Sequence, residues 1–186
     1  MADGIPSIKV VMLGNSGVGK TSLVNRFMGV KSEDPKPTIA ATHFSKEIQL
    51  QDRTINMFLW DTAGQEQYQA LTPLYTRGCS CALLVTSITD QASFDSIDSW
   101  IELMDKTCDN HPSVILTINK IDLDSNEKTR AQIQDQYSAR FPNIFFVSAK
   151  TSENVEALFI QAAELGIPQI SQLDNLNGKG NSNCKC

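Results

Sequence analysis

The feature that most constrains the fold is a glycine-rich turn at residues 14–21. It reads Gly-Asn-Ser-Gly-Val-Gly-Lys-Thr and fits the pattern G-x-x-x-x-G-K-[ST]. An apolar segment, residues 8–13, precedes this turn, and a helix-like segment, residues 20–28, follows it. Glycines allow backbone N–H groups to turn inward around phosphate oxygens, and the N-terminus of a helix adds partial positive charge. The pattern therefore predicts a phosphate-binding loop between a strand and a helix.

Two side chains in this turn have distinct expected roles. Lys20 is placed to reach the β- and γ-phosphates of a nucleoside triphosphate, and the hydroxyl of Thr21 can ligate Mg²⁺. A glycine-rich turn with an exposed lysine would be the alternative, but the strand and helix on either side favour the phosphate site. The residues expected to bind the nucleotide here are Gly14, Ser16, Gly17, Val18, Gly19, Lys20, Thr21 and Ser22.

Apolar segments alternate with helix-like segments along the chain, a rhythm typical of a mostly parallel sheet. We predict strands at residues 8–13, 44–50, 55–60, 81–85, 114–118 and 144–147, and helices at 20–28, 91–107, 127–139 and 153–165. Residues 51–53 would turn the second strand into the third as a hairpin. The expected fold is α/β: a mostly parallel six-stranded sheet with one antiparallel hairpin strand and helices on both faces.

Length and composition suit one globular domain followed by a short tail. The chain has 186 residues, a hydrophobic content of 41% and a formal net charge of −5, which gives no reason to expect a nucleic-acid partner. No apolar run reaches the roughly 18 residues of a membrane span. Pro168 is expected to end the last helix, so residues 1–168 are predicted to form the domain and residues 169–186 a flexible tail.

A second motif indicates which base is bound. Asn119-Lys120-Ile121-Asp122 follows the apolar segment 114–118, at the carboxyl edge of the sheet where ligands bind. Guanine presents two adjacent donors, a ring N–H and an amino group, and the carboxylate of Asp122 can accept both. Adenine presents an acceptor at the ring position, so Asp122 would repel it. The spacing after the phosphate loop therefore favours a guanine nucleotide, GTP or GDP.

Further candidates follow other strands. Asp61, at the end of segment 55–60, is placed to hold Mg²⁺, and Thr38, in a long loop, could close over the metal and the γ-phosphate. The backbone N–H of Gly64 can meet the γ-phosphate, and Gln65 could orient the attacking water as the catalytic residue. After the segment 144–147, backbone N–H groups could contact the guanine carbonyl; the residues there are Ser148, Ala149 and Lys150.

These elements, in this order, resemble the Ras superfamily of small GTPases, whose fold is a P-loop NTPase fold. The resemblance covers about residues 8–166 and the last three residues. Residues 37–39, 60–66 and 71–78 are similar to the Rab family, and residues 38–41 and 68–75 most resemble its endocytic group. The resemblance implies a GTP/GDP switch that recruits effectors to membranes in vesicle trafficking. It also implies an exchange factor, a GTPase-activating protein, a prenylation escort and a GDP-dissociation inhibitor as partners.

The C-terminus supports the Rab resemblance. The ending Cys184-Lys185-Cys186 is a C-x-C sequence, which in Rabs implies two geranylgeranyl chains, and two chains satisfy the usual need for two membrane signals. The expected location is cytoplasmic, with reversible attachment to the cytosolic face of an intracellular, endosomal membrane. Two idle exposed cysteines, and a Ras-like protein without lipid, remain the alternatives.

The chain departs from the Rab pattern at its partner-binding surface and near the base. His43 stands where Rabs have a phenylalanine, with Phe44 next to it, and the expected effector surface is His43, Phe44, Trp60 and Tyr75. The aromatic residue that packs on the guanine edge in the family has no match early in the loop 29–42, where Val30 and Lys31 stand, which predicts faster nucleotide exchange. Two other functions stay open. The first is a module that binds GTP but hardly hydrolyses it. The second is a P-loop kinase, but such enzymes commonly have an Arg-rich lid, and the sequence shows no Arg cluster.

Overall fold

The computed structural model describes residues 5–30, 38, 41–63, 72–108, 110–124 and 126–178. The strands and helices in chain order are β1 Ser7–Leu13, α1 Lys20–Met28, β2 Ala41–Gln49, β3 Thr54–Thr62, α2 Thr72–Thr76, β4 Cys81–Ser87, α3 Gln91–Asp95, α4 Ile97–Thr107, β5 Ser113–Asn119, α5 Glu127–Tyr137, β6 Ile144–Phe146 and α6 Val155–Gly178. A short 3₁₀ turn, Ile121–Leu123, follows β5.

The six strands form one sheet in the order β2-β3-β1-β4-β5-β6. Only β2 and β3 pair antiparallel; the other neighbours are parallel. Parallel strands need crossover connections, and the helices between them provide these. The predicted fold class, a mostly parallel six-stranded sheet with one antiparallel hairpin strand, is confirmed.

Helices cover both faces of the sheet. On one face α1 and α6 bury an apolar cluster that includes Phe27 and Phe159, whose rings stack with centroids 4.1 Å apart. On the other face α3 and α4 bury a second cluster around Trp100 and Met104. The central strand β4 is buried along its whole length, as a strand covered on both sides should be.

Two helix predictions are wrong. The single helix predicted over residues 91–107 is broken into α3 and α4 at Ser96, whose hydroxyl donates a hydrogen bond to the side chain of Asn15 at 2.8 Å. The last helix does not end at Pro168 but continues to Gly178 with this proline inside it. Proline removes one helical hydrogen bond and crowds the carbonyl four residues earlier, which kinks a helix but need not end it. The division of the chain at residue 168 stays a prediction.

No helix in the described part of the chain is both long and apolar enough to cross a membrane.

Candidate functional site

The phosphate-binding loop connects the end of β1 to the start of α1, and two of its glycines are required by close packing. Gly14 has a φ of +131°, and a Cβ there would lie 2.2 Å from the carbonyl oxygen of Val85. Gly19 has a φ of +98°, and a Cβ there would lie 2.4 Å from the side-chain nitrogen of Asn119. Any larger residue would push the loop away from β4 and β5. The close approach of β4 to Gly14 and of β5 to Gly19 therefore explains why the pattern has glycine at these two positions.

The side chain of Lys20 curls back into the loop. Its Nζ donates hydrogen bonds to the carbonyl oxygens of Gly14 at 2.7 Å and Asn15 at 2.8 Å. Burial lowers the pKa of Lys20 to about 8, and the Asp61 carboxylate opposes part of this shift. The loop therefore encloses a positive charge that a phosphate can approach. Other loop residues differ in exposure: Val18 is buried, Ser22 is half-buried, and Ser16 and Gly17 lie on the exposed rim.

Three oxygen-bearing side chains meet at the start of α1. Thr21 Oγ1 donates to Asp61 Oδ2 at 2.7 Å and lies 2.9 Å from Thr38 Oγ1, which is 3.5 Å from the same carboxylate oxygen. The structure thus brings together all three residues that were predicted to hold Mg²⁺. Burial raises the pKa of Asp61, whereas the hydrogen bond from Thr21 and the charge of Lys20 lower it.

This cluster fits a magnesium ion. The second carboxylate oxygen, Asp61 Oδ1, is buried and has no hydrogen-bond partner among the described residues. Magnesium prefers oxygen ligands and is commonly held by one carboxylate together with substrate phosphates and waters. The described residues contain no group of three His, Cys, Asp or Glu side chains that could hold a metal. The carboxylate of Asp61 and the hydroxyls of Thr21 and Thr38 therefore supply only part of the oxygen ligands of a magnesium ion, and phosphate oxygens and waters would supply the others.

Asn119 and Lys120 attach the end of β5 to the phosphate-binding loop. Asn119 Nδ2 donates to the carbonyl oxygen of Val18 at 2.9 Å, and its Oδ1 accepts from the N–H of Ala149 at 3.2 Å. Lys120 has a φ of 64°, and its Nζ donates to the carbonyl oxygen of Gly17 at 2.6 Å. These bonds join three loops into one continuous rim.

Asp122 lies in the 3₁₀ turn after β5 and is oriented by the loop after β6. Its Oδ1 accepts a hydrogen bond from the Ser148 hydroxyl at 2.7 Å, and Lys150 Nζ lies 3.8 Å from its Oδ2. The Asp122 side chain is only 12% exposed. The residues predicted to read the base therefore converge at one place. Ser148 contributes its hydroxyl to the site, which the sequence analysis did not foresee.

Two residues at the site were missed by the sequence analysis. Arg26 in the last turn of α1 donates from Nε to the carbonyl oxygen of Ala149 at 2.8 Å and from Nη2 to that of Lys150 at 3.0 Å. Asn15 Oδ1 accepts from the indole N–H of Trp100 at 3.0 Å. Asn15 occupies an unspecified position of the loop motif, and Arg26 belongs to no motif, so no local signal marked them.

The predicted effector surface is only partly assembled. The rings of His43 and Trp60 have centroids 5.8 Å apart, and those of Trp60 and Tyr75 are 5.7 Å apart. The ammonium group of Lys9 lies 4.7 Å from the centre of the Trp60 ring. Phe44 is not part of this group, because neighbouring residues of a strand point to opposite faces, and Phe44 packs against the α1 and α6 core.

Four predicted site residues, Gly64, Gln65, Cys184 and Cys186, lie outside the described residues.

The sequence profile of the Ras family matches residues 9–166. The chain is 41% identical over 162 residues to the Ypt/Rab-type GTPase Rab7 of Neurospora crassa, covering 82% of this chain and 78% of that protein. It is 40% identical over 172 residues to the Ypt/Rab-type GTPase ypt7 of Pyricularia oryzae, with coverages of 87% and 83%. It is 37% identical over 169 residues to the Ras-related protein Rab-7b of Paramecium octaurelia, with coverages of 87% and 82%. The chain therefore belongs to the Ras family and is a Rab-like small GTPase, a guanine-nucleotide-binding protein that acts in vesicle trafficking.

Proposed function

We propose that this chain is a timed switch whose guanine-nucleotide site is the rim formed by the phosphate-binding loop and the loops after β5 and β6. The observation that carries the proposal is the double role of Asn119, whose side chain bonds both Val18 and Ala149. A nucleotide spans a phosphate site and a base site, so the two must be held at a fixed separation. Asn119 supplies that link.

In the proposed complex Asp122 accepts the ring N–H and the amino group of guanine. The Ser148 hydroxyl, 2.7 Å from Asp122 Oδ1, holds the carboxylate in place for this pair. In the loop after β6, the backbone N–H of Lys150 would face the guanine carbonyl, since the N–H groups of Ser148 and Ala149 are bonded to Glu153 and Asn119. Lys20 and the loop N–H groups bind the phosphates, because a buried ammonium group and a helix N-terminus both favour anions.

Thr21, Thr38 and Asp61 would hold a magnesium ion beside the phosphates. Such an ion neutralises negative charge on the β- and γ-phosphate oxygens. Thr38 joins this group from the loop before β2, and its hydroxyl is 2.9 Å from that of Thr21. The loop that carries Thr38 therefore reports whether the γ-phosphate is present, which is how effectors distinguish the GTP form.

Gln65 is the proposed catalytic residue. It stands four residues after Asp61, beyond the end of β3, together with Gly64, whose N–H is expected to meet the γ-phosphate. Gln65 would orient the attacking water, as the corresponding glutamine does in related switches. We assign no arginine of this chain as an arginine finger, so hydrolysis without a partner is expected to be slow, and a GTPase-activating protein would supply the missing charge.

A single-turnover assay tests this assignment. Gln65→Leu is expected to slow GTP hydrolysis by more than about ten-fold while the affinity for GDP stays unchanged, because the side chain acts on the water and not on the bound nucleotide. Gln67→Leu, two residues further along, is the matched control and should hydrolyse GTP at the wild-type rate. A wild-type protein that holds GTP but does not hydrolyse it, even with an activating protein, would favour the binding-module function.

The proposal extends to membranes through the C-terminal cysteines. Geranylgeranyl groups on Cys184 and Cys186 would anchor the protein to the cytosolic face of an endosomal membrane, with the escort and the GDP-dissociation inhibitor controlling delivery and release. His43, Trp60 and Tyr75 would contact effectors. The mass of the C-terminal peptide from protein made in a eukaryotic host tests the anchor: two added lipids are expected, and an unmodified peptide would contradict the proposal.

A further inference from the structure

We propose that Arg26 is a positioning residue for base recognition, which aims the backbone N–H of Lys150 at the 6-oxo group of guanine. The inference rests on the proposed guanine site. Arg26 is placed to act there because α1 begins at the phosphate-binding loop and reaches Arg26 six residues after Lys20, a rise of about 9 Å. One helix therefore contacts both the phosphate end and the base end of the site.

The contact has a defined geometry. Nε and Nη2 of the Arg26 guanidinium donate to the carbonyl oxygens of Ala149 and Lys150, at 2.8 and 3.0 Å. The guanidinium is planar and rigid, so two bonds from it fix two consecutive carbonyl groups relative to each other. A lysine at this position could donate to both carbonyls, but its ammonium group lacks the fixed planar geometry of the guanidinium and would orient them less rigidly.

Holding a carbonyl also fixes the next N–H. In a planar trans peptide the carbonyl of Ala149 and the N–H of Lys150 point in opposite directions. Because Arg26 draws the Ala149 carbonyl toward α1, it turns the Lys150 N–H away from α1. Arg26 therefore determines the direction of a donor that it does not touch.

This donor is free to meet a ligand. The neighbouring N–H of Ala149 is already bonded to Asn119 Oδ1 at 3.2 Å. Within the described residues, the N–H of Lys150 has no hydrogen-bond acceptor. Lys150 is exposed, so its N–H is open to solvent and to a bound ligand. A carbonyl acceptor on the bound base would be a partner for this donor.

A purely structural role for Arg26 makes a different prediction. Arg26 is exposed, and the carbonyls that it contacts would be accessible to water without it, so its contribution to fold stability is expected to be small. If Arg26 only supported the fold, its removal would weaken every nucleotide equally. If it aims the Lys150 N–H, its removal should affect only nucleotides with a strong acceptor at position 6 of the base.

The test compares GDP with 6-thio-GDP, which keeps the donors that Asp122 reads but replaces the 6-oxo oxygen with sulfur, a weaker acceptor. The variants of the full chain are Arg26→Met and Arg26→Lys. The control is Arg140→Met, which removes an exposed arginine that pairs with Asp98. We expect Arg26→Met to lose about three- to ten-fold in affinity for GDP and less than about two-fold for 6-thio-GDP. Arg26→Lys should lie between Arg26→Met and the wild type, and the control should match the wild type.

Equal losses for both nucleotides, or no loss for either, would overturn the inference. A wild-type protein that prefers GDP to ADP but does not distinguish GDP from 6-thio-GDP would also overturn it, because the 6-oxo contact would be missing. Failure of the proposed function looks different: the wild-type protein would then show no preference for GDP over ADP.

Discussion

The side-chain amide of Asn119 donates a hydrogen bond to the carbonyl oxygen of Val18 at 2.9 Å. Asn119 is 1% exposed and Val18 is fully buried, so the bond lies out of reach of competing water. The glycine at position 19 is what permits this approach, since a Cβ there would collide with Asn119 Nδ2. The end of β5 and the phosphate-binding loop therefore behave as one packed unit.

Replacing Asn119 with alanine should damage both stability and binding. The change leaves the Val18 carbonyl and the Ala149 N–H unpaired, which costs about 1–3 kcal/mol in the free energy of unfolding. The GDP affinity should fall about ten-fold or more, because the base loop and phosphate loop lose their link. Asn110→Ala is the control: it removes a similar bond, to the Cys79 carbonyl at 2.7 Å, away from the site. Equal effects of both variants on GDP affinity would contradict the role of Asn119.

Asp122→Asn should change which base is preferred. An amide cannot accept both guanine donors, and the loss of a charged acceptor should lower GDP affinity by roughly 10- to 100-fold. Xanthosine diphosphate, which carries a second carbonyl in place of the amino group, should bind the variant better than the wild type. Asp124→Asn, two residues away, should leave both affinities unchanged, because the Asp124 carboxylate accepts a hydrogen bond from the N–H of Asn126. Retention of GDP preference by Asp122→Asn would show that another group reads the base.

Gly14→Ala should be far more damaging than alanine at another glycine with positive φ. At Gly14 the new Cβ would lie 2.2 Å from a backbone oxygen of β4, and backbone cannot move aside as a side chain can. We expect a loss of about 3 kcal/mol or more in the free energy of unfolding, from collision and strain together. At Gly78, where φ is +68° and no atom lies within 4 Å of an added Cβ, alanine should cost about 1 kcal/mol. Denaturant titrations of both variants measure the difference, and similar losses would contradict the packing argument.

Removal of divalent metal should accelerate GDP release. With Thr21 and Asp61 as its protein ligands in the GDP form, Mg²⁺ would hold the phosphates, and chelation should raise the release rate about ten-fold or more. In Thr21→Ala the ratio of the GDP release rates with and without chelator should be smaller, because one ligand of the metal is already lost. Thr54→Ala removes a hydroxyl in the β2–β3 hairpin and should respond to chelation as the wild type does. A release rate that does not depend on metal in the wild type would contradict the magnesium assignment.

Local sequence signals predicted the elements that are defined locally. Helix α1 has the predicted bounds, because a phosphate loop precedes it and a left-handed Gly29 ends it. Strand β2 begins at Ala41, three residues earlier than predicted, since Ala41 pairs with Thr62 of β3 and such pairing depends on the partner strand. The continuation of α6 beyond Pro168 likewise has no local signal.

In the candidate site too, residues in local motifs could be predicted from the sequence, whereas residues that act through distant contacts could not. Motif residues such as Lys20, Asp61 and Asp122 converge as their spacing predicted, because each follows a strand at the same edge of the sheet. Arg26 and Asn15 could not be found in this way, since they act through contacts with residues distant in the sequence. Proximity in the chain groups Phe44 with His43, whereas the strand places the two side chains on opposite faces of the sheet.

The most direct test of the central claim is the nucleotide preference of the wild-type protein. Protein purified with Mg²⁺ would be denatured to identify the released nucleotide, and then titrated with labelled GDP, GTP and ATP. The account predicts that GDP or GTP is released and that ATP binds at least about 100-fold more weakly, because Asp122 repels the ring acceptor of adenine. Binding of ATP as tightly as GTP would contradict the account and would favour the alternative function, a P-loop kinase.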